Sequence, residues 1–447
     1  MKMAGTSNNA VSEGNLTRFH WRMVAVGGLH LLMASLDVGL LSFIFARLVL
    51  EWQLTPWHLG AIGMGNATGT LVGSASAGAI ADRFGRKHAL RLCLIMAGLG
   101  TVLGAFSWDY VSLAIFQFAA GTGIGGTAPT VGVLVSEFSP AQYRGRLSAM
   151  TEFFWVSGWL VAALAAYFIV PLWGWRAAFI FGGIPLLYAS IQARILPESP
   201  RFLLTRGRTA EAHRLTETLR ARYGVVLHLP SVTGVSQRRS IVSGLRELWA
   251  RALAKRTACT WVLWFVLVYS WSGIFIWIPT LMATSGFSAV RTSEFMLVFT
   301  LAQFPPVALS VFTVDWLGRK WLLVPALLVC GLASYFFGTA ESYPAILFLG
   351  AIIAGSNIIG WSVMPAYTAE LFPTRLRGTG SGWAAASGRF GGITVPGVMA
   401  LFLSSWGKGY QAVFVMFSIV LLVGALVVAV LGEETKGRTL EEISAHV

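Results

Sequence analysis

Twelve stretches of the chain stay apolar for about 20 residues each, the length a helix needs to cross the hydrocarbon core of a bilayer. They run roughly over 22–49, 57–80, 89–107, 110–136, 147–170, 175–195, 258–284, 291–314, 321–340, 343–369, 379–404 and 410–432. In lipid the backbone must satisfy its own polar groups, and a helix does so within a single stretch. The pattern predicts an all-α membrane protein with twelve transmembrane helices. Composition points the same way: 55% of the 447 residues are hydrophobic and 12% charged, where a soluble domain carries about 25% charged. A water-soluble fold and a disordered chain are both excluded. The 49 Gly and 18 Trp suit closely packed helices with aromatic belts. Cys93, Cys259 and Cys330 lie in apolar runs and are expected as packing residues without a disulfide. The first apolar run is too long for a signal-peptide core, so no cleaved leader is expected.

The runs divide six and six around a polar stretch. This gives a tail at 1–21, a first six-helix half at 22–195, a central loop with short helices at 196–257, a second half at 258–432 and a tail at 433–447. The net charge of +14 sorts by loop. With both termini cytoplasmic, the outer loops receive Arg47, Arg176, Arg291 and Lys408; Arg389 falls inside a span, and every other Lys and Arg faces inward. That is the positive-inside pattern of a multi-pass protein of the inner (plasma) membrane. The basic residues are scattered over membrane-flanking loops without a nucleic-acid-binding motif, so no nucleic-acid partner is expected. The 204–222 stretch alternates apolar and basic faces and is expected to lie on the inner leaflet.

Two motifs recur with one shared offset. Asp82-Arg-Phe-Gly85-Arg86-Lys87 returns as Asp315-Trp-Leu-Gly318-Arg319-Lys320, and Glu137 with Arg144-Gly145 returns as Glu370 with Arg377-Gly378. A common offset implies duplicated, pseudo-symmetric halves. The glycines permit tight turns, and the aspartates are expected to cap the helix that follows. Asp82, Gly85, Arg86, Glu137 and Arg144, with Asp315, Arg319, Glu370 and Arg377, then form a cytoplasmic charge network that gates the inner face.

Gly78 to Lys87 resembles the G-x-x-x-D-R-x-G-R-K loop of the major facilitator superfamily. Pro197-Glu198-Ser199-Pro200-Arg201 and Glu434-Thr435-Lys436-Gly437-Arg438-Thr439 are similar to its sugar-porter-related branch. Asp37 to Phe43, Glu152 to Leu160, Gly273 to Pro279 and Ser387 to Ile393 resemble bacterial niacin (nicotinate) transporters, a group near the synaptic-vesicle glycoproteins and organic ion transporters. The resemblance implies a secondary transporter working by alternating access. Two positions depart from it: Gln117 stands where the superfamily usually has Arg, and Ala34 where the niacin group often has an acid. Both remove charges that such a family could use for coupling, which bears on the proton mechanism and not on the fold.

Embedded charges are costly and mark function. Only Asp37 and Glu152 among the acids, and Arg389 among the bases, are read as embedded, the other charges lying in loops or near helix ends. Taking a carboxyl out of water disfavours its ionised form, so Asp37 and Glu152 are read as proton-coupling acids, Glu152 near the inner charge network. His30, seven residues before Asp37 on the same helical face, joins them. Arg389 is read as the substrate residue, because a guanidinium grips a carboxylate through two parallel hydrogen bonds; an ion pair with Asp37 is the competing role. Tyr269, Trp271, Trp277, Trp361 and Tyr367 are candidates to stack on or bond to an aromatic ring, and Gln303 and Asn357 to bond a ring nitrogen or a carboxylate oxygen.

Gly121 to Gly126 fits G-x-G-x-x-G, but inside an apolar helix it reads as close helix packing rather than a dinucleotide loop. No P-loop appears, which argues against an ATP-driven pump. The Asn15-Leu-Thr17 sequon falls on the inner side and is discounted. No metal-ligand cluster, nucleophile–base pair or cofactor motif is present, so neither an enzyme nor a cofactor is expected. The reading is a monomeric importer of a small aromatic monocarboxylate, nicotinate first, with proton as partner ion and the bilayer as host. Its rivals are a transporter of benzoate-type or sugar acids, a drug exporter of the same fold, and a non-transporting membrane sensor.

Overall fold

The structure is a computed structural model that describes residues 16–140, 143–224, 241–284, 286–373, 376–404 and 409–436. The first half holds α1 (Arg18–Trp52), α2 (Pro56–Phe84), α3 (Arg86–Gly104), α4 (Tyr110–Phe138), α5 (Arg144–Phe181) and α6 (Ile184–Ile195). Three short helices follow: α7 (Pro200–Thr205), α8 (Thr209–Tyr223) and α9 (Ile241–Leu248). The second half holds α10 (Ala254–Thr284), α11 (Ala289–Leu301), α12 (Phe304–Leu317), α13 (Arg319–Thr339), α14 (Tyr343–Leu371), α15 (Arg377–Ser404) and α16 (Gly409–Leu431). The end of the bundle where α1 starts and α16 stops is called the proximal face here, and the other end the distal face. The Asn15–Thr17 sequon is only partly within the described residues.

Nine segments among the described residues meet a strict length-and-hydropathy test for a membrane span. Three local features reconcile that number with twelve crossings. Spans five and six run together in one apolar segment, and α5 continues to Phe181 across a kink at Gly174 (φ 78°, ψ 172°). The eighth span is broken at Ala302–Gln303 into α11 and α12, because Pro305 and Pro306 supply no amide to continue the helical ladder. α2, rich in glycine and hydroxyl residues, is long enough but falls outside the nine.

Small residues bring α2 and α4 into backbone contact. A Cβ at Gly69, Gly73, Gly121 or Gly125 would overlap a backbone oxygen of the opposing helix. The Gly121–Gly126 run is therefore a packing surface, as its place in an apolar helix implies. Cys93, Cys259 and Cys330 are buried free thiols.

The two halves meet toward the distal face. The Ser42 hydroxyl of α1 donates to the carbonyls of Phe275 (3.1 Å) and Ile276 (2.7 Å) on α10. The Phe45 and Trp277 rings stand edge to face at 6.1 Å. Gly60 and Gly63 of α2 lie against Pro396 of α15. At mid-depth Val156 of α5 packs on Val307 of α12 and Ile358 of α14. At the proximal face the expected leaflet-facing stretch behaves differently: Leu215 and Leu219 of α8 pack on a cluster containing Phe19 and Phe138, so its apolar side covers the ends of α1 and α4 rather than facing lipid.

Candidate functional site

Between the halves lies a cavity of about 170 Å³. An apolar cavity of about 150 Å³ admits a benzene ring, so the volume suits a ligand built on a single ring. Helical periodicity explains which residues line it. α2 contributes Gly63, Asn66, Ala67 and Thr70, at intervals of three and four; α15 contributes Arg389, Gly392 and Pro396; α5 contributes Glu152 and Trp155; α10 contributes Trp264, Val268, Trp271 and Ser272. Trp277 and Trp361 complete a wall of five indoles with Trp155, Trp264 and Trp271. The rings interlock, Trp271 lying 5.8 Å from Trp155 and 6.2 Å from Trp361 between centroids. A mostly apolar wall with a few polar groups is the usual make-up of a small-molecule site.

Two charged side chains line this cavity, Glu152 from the first half and Arg389 from the second. They form no ion pair within 4.0 Å. Glu152 thus belongs to the cavity and not to the inner charge network, a correction to its expected place. Trp277 and Trp361 each hold a buried indole N–H without a partner among the described residues.

The other sequence candidates point elsewhere. Asp37 is buried against α3, where the Thr101 hydroxyl donates to its Oδ1, so the competing Asp37–Arg389 pair does not form. His30 is fully buried; its Nδ1 lies 2.7 Å from the Val26 carbonyl and its ring meets Tyr188 edge-on. Tyr269 donates to Met416 Sδ and stacks on Phe265. Gln303 sits at the break of span eight with its amide on the Phe299 carbonyl, and Asn357 donates to Ser270. Tyr367 bonds the Glu433 carbonyl at the proximal face. Of the proposed ligand residues, the structure gathers Arg389, Trp271, Trp277 and Trp361 in the cavity, together with Glu152. Sequence reasoning missed Trp155, Trp264, Asn66, Thr70 and Ser272. Trp155 lies one turn from Glu152, and Thr70 one turn from Asn66, so helical spacing from an embedded polar residue is the signal that finds them.

The repeated loops assemble at the proximal face. Arg86 reaches Glu137 at 3.4 Å and Asp82 at 3.3 Å; Arg319 reaches Glu370 at 3.1 Å. The helix caps differ from the expected ones. Glu198, not Asp82, accepts from the Arg86 amide at 2.9 Å and the Lys87 amide at 3.3 Å. Glu434 likewise accepts from the amides of Arg319 and Lys320, at 3.0 and 3.1 Å. Asp82 lies within the last turn of α2, its side chain three-quarters open to solvent and turned to the Arg86 guanidinium. Gly85 (φ 96°) and Gly318 (φ 95°) make the turns, and a Cβ at either would run into the capping carboxylate. Arg206 closes the end of α2 on the Asp82 and Arg83 carbonyls, and Lys436 closes α12 on the Trp316 carbonyl. The side chains of Arg144, Asp315 and Arg377 lie outside the described residues.

The model of the family described as "Sugar (and other) transporter" matches residues 59–446. The chain belongs to this family. Within the family it is 39% identical over 427 residues to the niacin transporter NiaP of Acinetobacter baylyi, covering 95% of this chain and 97% of that protein. It is 35% identical over 420 residues to the "putative niacin/nicotinamide transporter NiaP" of Bacillus subtilis, covering 94% and 98%. Among solved structures, the partially occluded inward-open xylose transporter XylE of E. coli superposes with a TM-score of 0.76 at 18% identity, over 94% of this chain and 99% of that one. That likeness carries the fold: twelve helices in two related halves, the architecture of the major facilitator superfamily. As a sugar (and other) transporter family member the chain is a multi-pass membrane transporter of a small molecule and not an enzyme.

Proposed function

We propose that the protein imports nicotinate, or a closely similar aromatic monocarboxylate, across the bacterial inner membrane in symport with protons. The observation that carries this is Arg389, a guanidinium without an ion-pair partner among the described residues, which lines a single-ring cavity walled by five tryptophans. Arg389 grips the carboxylate bidentately, and the indoles take the ring faces. The relatives named as niacin transporters supply the particular acid. Charge balance supports coupling: the cavity holds one base and one acid, so an entering monoanion leaves it negative unless a proton enters too. Glu152 carries that proton in the cavity, with Asp37 behind it and His30 on the same side of α1. Both termini and the paired loops face the cytoplasm, and a single copy suffices. Transport alternates between this distally closed arrangement and one in which the distal seam parts, the two halves rocking about the cavity.

Uptake of labelled nicotinate into proteoliposomes under an imposed proton gradient tests the reading. Arg389→Ala should weaken nicotinate binding by roughly 30-fold or more, the effect of removing one partner of a desolvated charged contact worth about 2 kcal/mol or above. Intact nicotinate affinity in that variant sinks the carboxylate assignment. Correctly inserted wild-type protein that takes up no nicotinate sinks the substrate.

A further inference from the structure

We infer that Glu152 selects substrates by the nitrogen of their ring, so that the cavity prefers nitrogen-heteroaromatic carboxylates to carbocyclic ones; this rests on Arg389 as the carboxylate anchor. The two charged lining residues stand on helices that form different seams between the halves. Arg389 is on α15, whose Pro396 two turns on abuts Gly60 and Gly63 of α2. Glu152 is on α5, whose Val156 one turn on packs against Val307 and Ile358. They come from different halves, line one cavity and make no direct ion pair. A planar acid held by its carboxylate at Arg389 extends its ring past the indole wall toward the α5 side.

A pyridine-type nitrogen carries one lone pair in the ring plane and calls for a donor there. Protonated Glu152 supplies it; if the proton sits on the ring instead, ionised Glu152 accepts it back, and one proton lies between the same two atoms either way. Other polar groups of the lining are committed or, like the unpartnered indole N–H groups of Trp277 and Trp361, belong to the second half with Arg389. Asn66 donates its amide to Gln117 Oε1 at 3.0 Å, and the Thr70 hydroxyl donates to the Asn66 carbonyl at 2.9 Å. Ser272 lies beside Gly392, 3.6 Å from where its Cβ would be, and so belongs to the carboxylate end. Gln303 and Asn357, the sequence candidates for a ring nitrogen, are outside the cavity. The remaining N–H on the first-half wall is the Trp155 indole. A carbocyclic acid would put a C–H against Glu152 and strand a desolvated polar group, which sites of this kind penalise.

The test is equilibrium binding of labelled nicotinate and benzoate to the full chain in lipid nanodiscs at fixed pH. Wild type should prefer nicotinate by roughly 10- to 100-fold, the cost of one buried polar group left unpaired. Glu152→Leu should bring the ratio close to one, by weakening nicotinate and leaving benzoate unchanged or tighter. Glu152→Gln keeps an N–H donor and should keep the preference. Trp155→Phe should weaken both acids alike. The inference is overturned if Glu152→Leu weakens both acids equally, if it preserves the ratio, or if Trp155→Phe erases it. Should wild type bind neither acid, the carboxylate reading falls first and this one with it; should it bind both equally, only this one falls.

Discussion

Gly85 and Gly318 stand 233 positions apart with near-identical backbone angles, φ 96°, ψ 158° and φ 95°, ψ 162°. Each starts a helix whose first amides are held by an acid from a later segment, Glu198 or Glu434. Each helix sends an arginine back to the acid ending another long helix of the same half, Glu137 or Glu370. Inside the membrane the correspondence ends. The first half carries Asp37 and Glu152, the second Arg389. Turns that both halves use stayed alike, whereas the two walls of the cavity differ. An asymmetric ligand needs different chemistry at its two ends, and two equal walls would not tell them apart.

The widest contrast is in proton coupling. Glu152→Gln should abolish the acceleration of nicotinate uptake by an inward proton gradient while leaving exchange at equal pH measurable. Asp37→Asn keeps an acceptor for Thr101 and should reduce that acceleration only partly. Should Asp37→Asn alone abolish it, the coupling acid lies behind the cavity and not in it.

Next come the paired turns. Gly85→Ala and Gly318→Ala should each destabilise by about 2 kcal/mol, since a side chain at that φ is strained and its Cβ displaces the capping carboxylate. Thermal unfolding in nanodiscs would show two similar drops in Tm; a drop in one variant alone breaks the structural equivalence. Glu198→Gln and Glu434→Gln, which weaken a charge-assisted cap yet keep an acceptor, should cost about 1 kcal/mol each in the same assay.

The smallest effect is at the distal start of α4 and α14. Asp109 accepts from the Ser112 amide at 2.8 Å, and its hydrogen bonds with Ser112 hold its carboxyl below the usual aspartate range. At the matching position Ser342 makes no side-chain cap. Because the folded-state value is depressed, the stabilisation from Asp109 is present above the ordinary aspartate value of about 4 and is lost as pH falls through the folded one. The Tm gap between wild type and Asp109→Ala should therefore narrow below about pH 4, while Ser342→Ala should move nothing.

The fold was legible because apolar length is a nearly sufficient signal in lipid, and the duplication because two motifs kept one offset. The caps were not, since Glu198 lies more than a hundred residues from the amides it holds while Asp82 sits nearby in sequence. Facing was the other gap. α10 is apolar all round, so nothing in its pattern says that Trp271 turns to the cavity and Tyr269 to α16. Embedded charge picked out two residues that line the cavity, Glu152 and Arg389, but burial alone did not say that Asp37 stands behind it.

The distal seam has a partner that sequence comparison cannot see. Ser42 fastens α1 to the carbonyls of residues 275 and 276, and every amino acid offers that same acceptor. Whatever side chains drift at those two positions of α10, the keeper of this latch persists. The polar part of the closure therefore asks for a hydroxyl at position 42 and for no particular side chain at the two positions that receive it.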